Sequence, residues 1–286
     1  MTERIALFSF LSRADATPLN QRSRANGFVL GQNGNPVDDP ITAAALGFEP
    51  DPNVNFEHWG DYWRKVHGVR FVHPENDTDQ QTLKKLLRYD QIHRFAPGPS
   101  SETPLPYLPP VDADGELFDT IIGHVAPYRR PAWDGVAYLQ FANLDDLKAV
   151  LGSERVLRKI APEDRAMFRD LAPILAKQHV IKSGSGNDAI TLVKSHRRGD
   201  GLDRAAFQSN WKRAAGRIFR SSESARMMQS YVQLLNIGPE VPGLPFYHAA
   251  TAAIDGVTLM TFGSVLDVET FLQSADYAAL LAAEAE

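Results

Sequence analysis

The side chains with which this sequence could do chemistry near neutral pH gather in two short stretches. One is Asn55 to Gly68, reading Asn-Phe-Glu-His-Trp-Gly-Asp-Tyr-Trp-Arg-Lys-Val-His-Gly; the other is Arg88-Tyr89-Asp90-Gln91-Ile92-His93. A neutral imidazole is the natural general base at this pH and can also return the proton it takes, so His67 or His93 would suit a lyase or an isomerase. Tyr89 could donate to a developing enolate or phenolate oxygen, and Gln91 could orient a polar group of a substrate. For each histidine the alternative is a satisfied packing residue. The chain has no cysteine, which removes thiolate nucleophiles, disulfides and Cys-based metal sites together. It has no His-Glu metal motif at helical spacing, no glycine-rich phosphate loop, no G-x-G-x-x-G after a strand and no G-x-S-x-G elbow. The expectation is catalysis by side chains alone, with no metal and no cofactor.

Periodicity defines the elements that must position these groups. Phe56, Trp59, Trp63 and Val66 recur at three- and four-residue steps, one apolar stripe of an α-helix. Asn55 is placed as its N-cap and Gly68 as its stop. His67 follows Trp63 by four residues and leaves the helix on nearly the face that Trp63 buries. His58 and Tyr62 are rotated toward an edge and are candidates for the rim of a site. In the second stretch, strand alternation puts Tyr89, Gln91 and His93 on one face and Asp90 and Ile92 on the other. The polar row is expected to face the interior of a barrel, with Ile92 on the side covered by helices. Trp133, with His124 and Tyr128, lies in or at the exit of a proline-rich stretch that could close over the pocket.

The chain also repeats itself. Ile5 to Asp15 aligns without gaps on Ile190 to Asp200, and Asn55, Trp59, Trp63 and Gly68 fall on Asp203, Phe207, Trp211 and Gly216. Tyr89 to His93 aligns with Tyr231 to Leu235, and Asp134 to Phe141 with Asp255 to Phe262, each of the latter followed by a capped helix start at Asn143 or Ser264. Four blocks in one order predict an α+β protein of two tandem ferredoxin-like β-α-β-β-α-β repeats, whose antiparallel sheets pack face to face as an intramolecular α/β barrel. The first repeat would span residues 1–185, with insertions near 16–54 and 96–132, and end in a helix over Pro162 to Lys177 and a short strand at Gln178 to Lys182. The second, 186–286, would end in a helix from Asp276 with no closing strand. His67 corresponds to Ala215 and His93 to Leu235, so the second repeat keeps the scaffold and loses both imidazoles. One working site is expected, in the first repeat, with the second degenerate.

With these blocks in place, the sequence resembles the ethyl tert-butyl ether degradation (EthD) family of dimeric α/β-barrel proteins. The resemblance rests on Trp63-Arg-Lys-Val-His67-Gly68, Arg88-Tyr89-Asp90-Gln91-Ile92-His93 and Trp133-Asp134-Gly135-Val136. It implies a ferredoxin-like barrel with an interior pocket; relatives include lactone isomerases and small-molecule decarboxylases and dehydratases. Related barrels bind haem through one histidine, which keeps an oxygen-dependent or haem-linked oxidation open. The leading expectation is a cofactor-independent lyase or isomerase acting on a small apolar, aromatic or lactone-like molecule. His67, His93 and Tyr89 would be its catalytic residues, and Gln91, Trp63, Tyr62, His58 and Trp133 would bind the substrate. A non-catalytic binding or accessory protein using the same pocket is the reading from a different class.

Composition sets the outer limits. A net charge of −5 without a basic block argues against nucleic acid as a partner. No run approaches the roughly 18 apolar residues of a membrane span, and the N-terminus reads as a strand rather than a signal peptide. A cytoplasmic protein with a small-molecule substrate is expected. The duplication would let one chain form the barrel as a monomer, and a homodimer of such barrels is compatible with it.

Overall fold

The computed structural model describes residues 3–13, 56–94, 133–161, 164, 167–184, 190–219 and 224–285. These form two compact α+β units, the first built from residues up to 175 together with 238–252, the second from 176–237 and 253–285. Asn55, His124, Tyr128 and the insertions near 16–54 and 96–132 lie outside the described residues.

In the first unit, β1 (Ile5–Arg13) is followed by a helix in three parts: α1 (Phe56–Tyr62), a π-turn (Trp63–His67) and α2 (Gly68–Val72). Then come α3 (Asp77–Leu83), β2 (Leu86–His93), β3 (Gly135–Phe141), α4 (Leu144–Leu151), a second π-turn (Val156–Ile160) and the first half of β4 (Phe168–Lys182). The strand order is β2-β3-β1-β4, the arrangement a β-α-β-β-α-β chain produces. Strand β3 is buried along its whole length and pairs antiparallel with both neighbours, Gly135 lying opposite Leu11 on one side and His93 on the other.

The second unit takes up the other half of β4, then β5 (Ile190–His196), α5 (Arg204–Phe219), α6 (Ser224–Met227), β6 (Met228–Asn236), β7 (Gly256–Phe262), α7 (Val265–Leu272) and α8 (Ala275–Ala285), in the strand order β4-β6-β7-β5. Its central strand repeats the register of β3: Gly256 lies opposite His196 on one side and Leu235 on the other. Leu11 and His196, His93 and Leu235, and Tyr89 and Tyr231 therefore hold equivalent places, as the sequence match requires. Details follow suit. Asn143 and Ser264 both cap the helix after the central strand by accepting from a backbone N–H three residues on. At the strand ends Asp134 accepts from the Arg13 backbone N–H and guanidinium, and Asp255 accepts from the Arg198 backbone N–H and the Arg204 side chain. Arg13 is fully buried, so it belongs to the framework.

The glycine of each Asp-Gly pair is dictated by a tryptophan. A Cβ on Gly135 would come within 2.6 Å of the Trp63 ring, and one on Gly256 within 2.3 Å of the Trp211 ring. Gly68 is explained in the same way, and here the structure corrects the expectation of a helix stop. The helix continues through Gly68 to Val72, and what requires glycine is the Gln91 amide, 2.6 Å from where a Cβ would stand. A second correction concerns Pro162 to Lys177. The segment from Phe168 is strand, not helix, because Pro173 would break a helix interior and the run Ala172 to Ala176 is buried without interruption. The Pro173 carbonyl accepts from the Thr251 hydroxyl at 2.8 Å.

Candidate active site

The site is assembled from the helix that carries Trp59 and Trp63. Both indoles are fully buried, their centroids 4.8 Å apart, and they fix the helix over β2 and β3. At Trp63 the backbone opens into the π-turn: its carbonyl accepts from the Gly68 N–H five residues on and also from the Gln91 side-chain amide at 2.7 Å. Widening of this kind inserts one residue per turn and is frequent at functional sites. His67 is its last residue. The second hydrogen of the Gln91 amide goes to the Tyr89 hydroxyl oxygen at 2.9 Å, and the Trp63 indole N–H reaches the same oxygen at 3.1 Å.

His67 Nδ1 lies 2.7 Å from Asp164 Oδ1, and the Tyr62 hydroxyl donates to that same oxygen at 3.0 Å. The side chains of His67 and Asp164 are only 12% and 8% exposed. With Asp164 accepting from Nδ1–H, the imidazole is held in the tautomer whose basic lone pair is on Nε2, and no described residue hydrogen-bonds Nε2. His67 and Asp164 both line a cavity of about 40 Å³. Since one water-sized group needs about 10–15 Å³ of such space, the cavity has room for roughly three, the scale of a small molecule.

The floor of the cavity is sheet: Leu7, Ser9 and Leu11 of β1, Ala137 and Leu139 of β3, and Tyr89 of β2. Its roof is the helical layer, with His67, Phe71, Val156, Ile160 and Asp164; each π-turn contributes to it. Apart from His67, Asp164, Tyr89 and Ser9 the lining is apolar. Burial, far more than the nearby Asp164 charge, pushes the Tyr89 phenol above its ordinary range, against the pull of its bonds from Gln91 and Trp63. The hydroxyl therefore keeps its proton, and with two N–H groups on its oxygen that proton is left to donate.

The second unit arranges the corresponding positions differently. Its helix runs as a plain α-helix through Trp211 and Ala215, and the Gln233 amide reaches the Trp211 carbonyl only at 3.3 Å. The place of Ser9 is taken by Lys194, whose ammonium bonds the Glu284 carboxylate of α8. The place of Leu11 is taken by His196, hydrogen-bonded to Thr258 at 2.8 Å and pushed down to about 3 by burial and then by Lys194. What is open space in the first unit is an ion pair in the second.

The expected site residues divide accordingly. His67 and Tyr89 line the cavity. Tyr62 is not at a rim; it is buried and bonds Asp164. Gln91 and Trp63 stand behind Tyr89 and position its hydroxyl, without lining the cavity. His58 is exposed and Trp133 packs on Phe10, centroids 5.7 Å apart; neither is among the lining residues. His93 is also outside it: its ring packs at a tilt against Trp63, centroids 4.6 Å apart. The row Tyr89, Gln91 and His93 thus faces the helices. The assignment of that row to a barrel interior is corrected, because the π-turn carbonyl and the tryptophan rings, not an open lumen, receive its polar groups. Asp164 and Ser9 were not found from the sequence. One is among 35 acidic residues with no motif around it, and the other is a serine in a strand.

Burial, helped by the charge of Arg64, pushes the His93 imidazole down from 6.5 to about 4. Below pH 6.5 the unfolded chain takes up a proton that the folded one refuses, so this group's contribution to stability falls as pH drops from about 6.5 to about 4. His93→Leu, which copies Leu235, is expected to flatten that part of the pH dependence in urea unfolding between pH 7 and 4. Equal slopes for variant and parent would contradict it.

Among the described residues no three His, Asp or Glu side chains converge as a metal site, and no helix is long and apolar enough to cross a membrane. The cavity is far smaller than a porphyrin, so a haem does not fit this site.

Fold and site together define an α+β protein with a buried His–Asp pair between a four-stranded antiparallel sheet and its helices. No protein-family model matches the chain, and no curated protein matches it. Among solved structures it is similar to an anthrone oxidase-like protein, at 8% identity and a TM-score of 0.47, covering 100% of this chain and 86% of that one. It is also similar to a provisionally named monooxygenase from Lactobacillus acidophilus, at 9% identity and a TM-score of 0.39, covering 98% of this chain and 87% of that one.

Proposed function

We propose that this protein is an acid–base enzyme that removes a proton from a small, mostly apolar, weakly acidic molecule held against His67. The observation that carries the reading is the 2.7 Å contact of His67 Nδ1 with Asp164 at the wall of an otherwise apolar cavity. Nε2 takes the proton, Asp164 stabilises the imidazolium formed, and the Tyr89 hydroxyl donates to the oxygen on which charge develops. Return of the proton to a different carbon gives an isomerase, and expulsion of a leaving group from the anion gives a lyase.

A second fate of the anion is reaction with dioxygen. The apolar lining favours it, since such a cavity admits an apolar gas and keeps out water. Both readings share the first step, and the experiment addresses that step. 2-Butanone incubated with the protein in D2O is expected to gain deuterium beside its carbonyl faster than in buffer alone; a rate equal to that of buffer would count against the proposal. Oxygen uptake in the same solution separates the two fates.

A further inference from the structure

Ser9 sits at the middle of β1, between Leu7 and Leu11, with its side chain turned to the cavity. It is 1% exposed, and its hydroxyl has no hydrogen-bond partner among the described residues. A buried hydroxyl left unbonded is destabilising, whereas an apolar side chain of similar size would fit this strand without that cost. The equivalent place in the second unit is also polar, but there Lys194 is bonded to Glu284. The first unit keeps a polar group at this position and leaves open space in front of it.

We propose that Ser9 is an anchor for the ligand. Its hydroxyl donates to an oxygen of the bound molecule, so that the ligand carries a hydrogen-bonding oxygen in addition to the acidic group that meets His67. The register sets this hydroxyl apart from the Tyr89 side of the site. Ser9 lies opposite Ala137 and Ala137 opposite Gln91, while Tyr89 stands in the neighbouring row opposite Leu139. Two strand spacings and a two-residue step along the strands put the Ser9 and Tyr89 backbones about 12 Å apart, so the serine marks a polar point of its own on the floor. A cavity of about 40 Å³ sets the ligand class as a compact molecule of a few heavy atoms that carries one oxygen beyond its acidic group. The inference rests on the cavity being the reaction site, yet it is tested by binding rather than turnover.

The probes are hydroxyacetone and 2-butanone, which share a ketone and a chain length and differ in a hydroxyl in place of a methyl group. Both are measured by calorimetric titration at pH 6, where each is un-ionised. Ser9→Ala is expected to weaken hydroxyacetone by about 5- to 10-fold, the size of one hydrogen bond, and to leave 2-butanone within about twofold. The ligand-free Ser9→Ala protein is expected to melt about 2–4 °C higher than the parent, because an unbonded buried hydroxyl has been removed. A purely structural serine would give the opposite shift. Equal weakening of both probes, a lower melting temperature, or no binding of either probe to the parent protein overturns the proposal. If the two expected results hold while 2-butanone gains no deuterium, the anchor stands and the acid–base reading falls.

Discussion

On the proposed acid–base reading, His67→Ala is expected to lower turnover of the substrate by about 10²- to 10⁴-fold, the usual contribution of a positioned general base, and Asp164→Asn is expected to lower it by a similar factor. The two effects share one cause. Asp164 accepts from Nδ1 and so leaves Nε2 as the base; an asparagine amide can turn its NH2 to Nδ1 and stabilise the tautomer that has no lone pair facing the cavity. Residues acting as one unit are not additive, so the double variant is expected to be no slower than the slower single one. Tyr62→Phe removes only one of the two bonds on Asp164 Oδ1 and serves as the milder member of the series. The check is kcat for the four variants alongside their melting curves. Retention of full turnover by a folded His67→Ala protein would falsify the assignment.

Trp63→Ala has the largest expected effect on stability, about 3–5 kcal/mol for truncation of a fully buried indole. Trp63 is 0% exposed and packs against Trp59 and His93. Its indole N–H also holds the Tyr89 oxygen, and its carbonyl holds Gln91. Trp63→Phe is expected to recover most of the stability and yet to impair the site, because ring packing returns and the bond to Tyr89 does not. The midpoint and slope of urea unfolding read the first effect, and ligand binding by the Phe variant reads the second. A Trp63→Ala midpoint within error of the parent would show that the indole is not part of the core.

Much of this was legible in the sequence where both halves of the chain carry the same physical demand. The tryptophans of the helix and the glycine of each Asp-Gly strand start recur because one packs on the other, and the repeated register makes Gly135 and Gly256 equivalent. The loss of His67 in the second half was visible for the same reason. What was not legible depends on tertiary context. Alternation separates Tyr89, Gln91 and His93 from Asp90 and Ile92 but does not say which set lies under helices. A π-turn leaves no composition signal, so the continuation past Gly68 could not be counted from spacing. Ser9 and Lys194 differ in size and charge, and only the space around them shows that the difference makes a cavity in one unit and an ion pair in the other.

That exchange of Lys194 and Glu284 for an open cavity has an evolutionary consequence. In a protein made of two identical chains, every substitution is made twice, and a change that opens a cavity weakens both copies. Here the two sets of positions are encoded separately. The second unit can keep a filled interior while the first accepts an unbonded serine and an empty volume, so substrate preference can drift at Ser9, Leu11 or Ala137 without a matching loss in the other half.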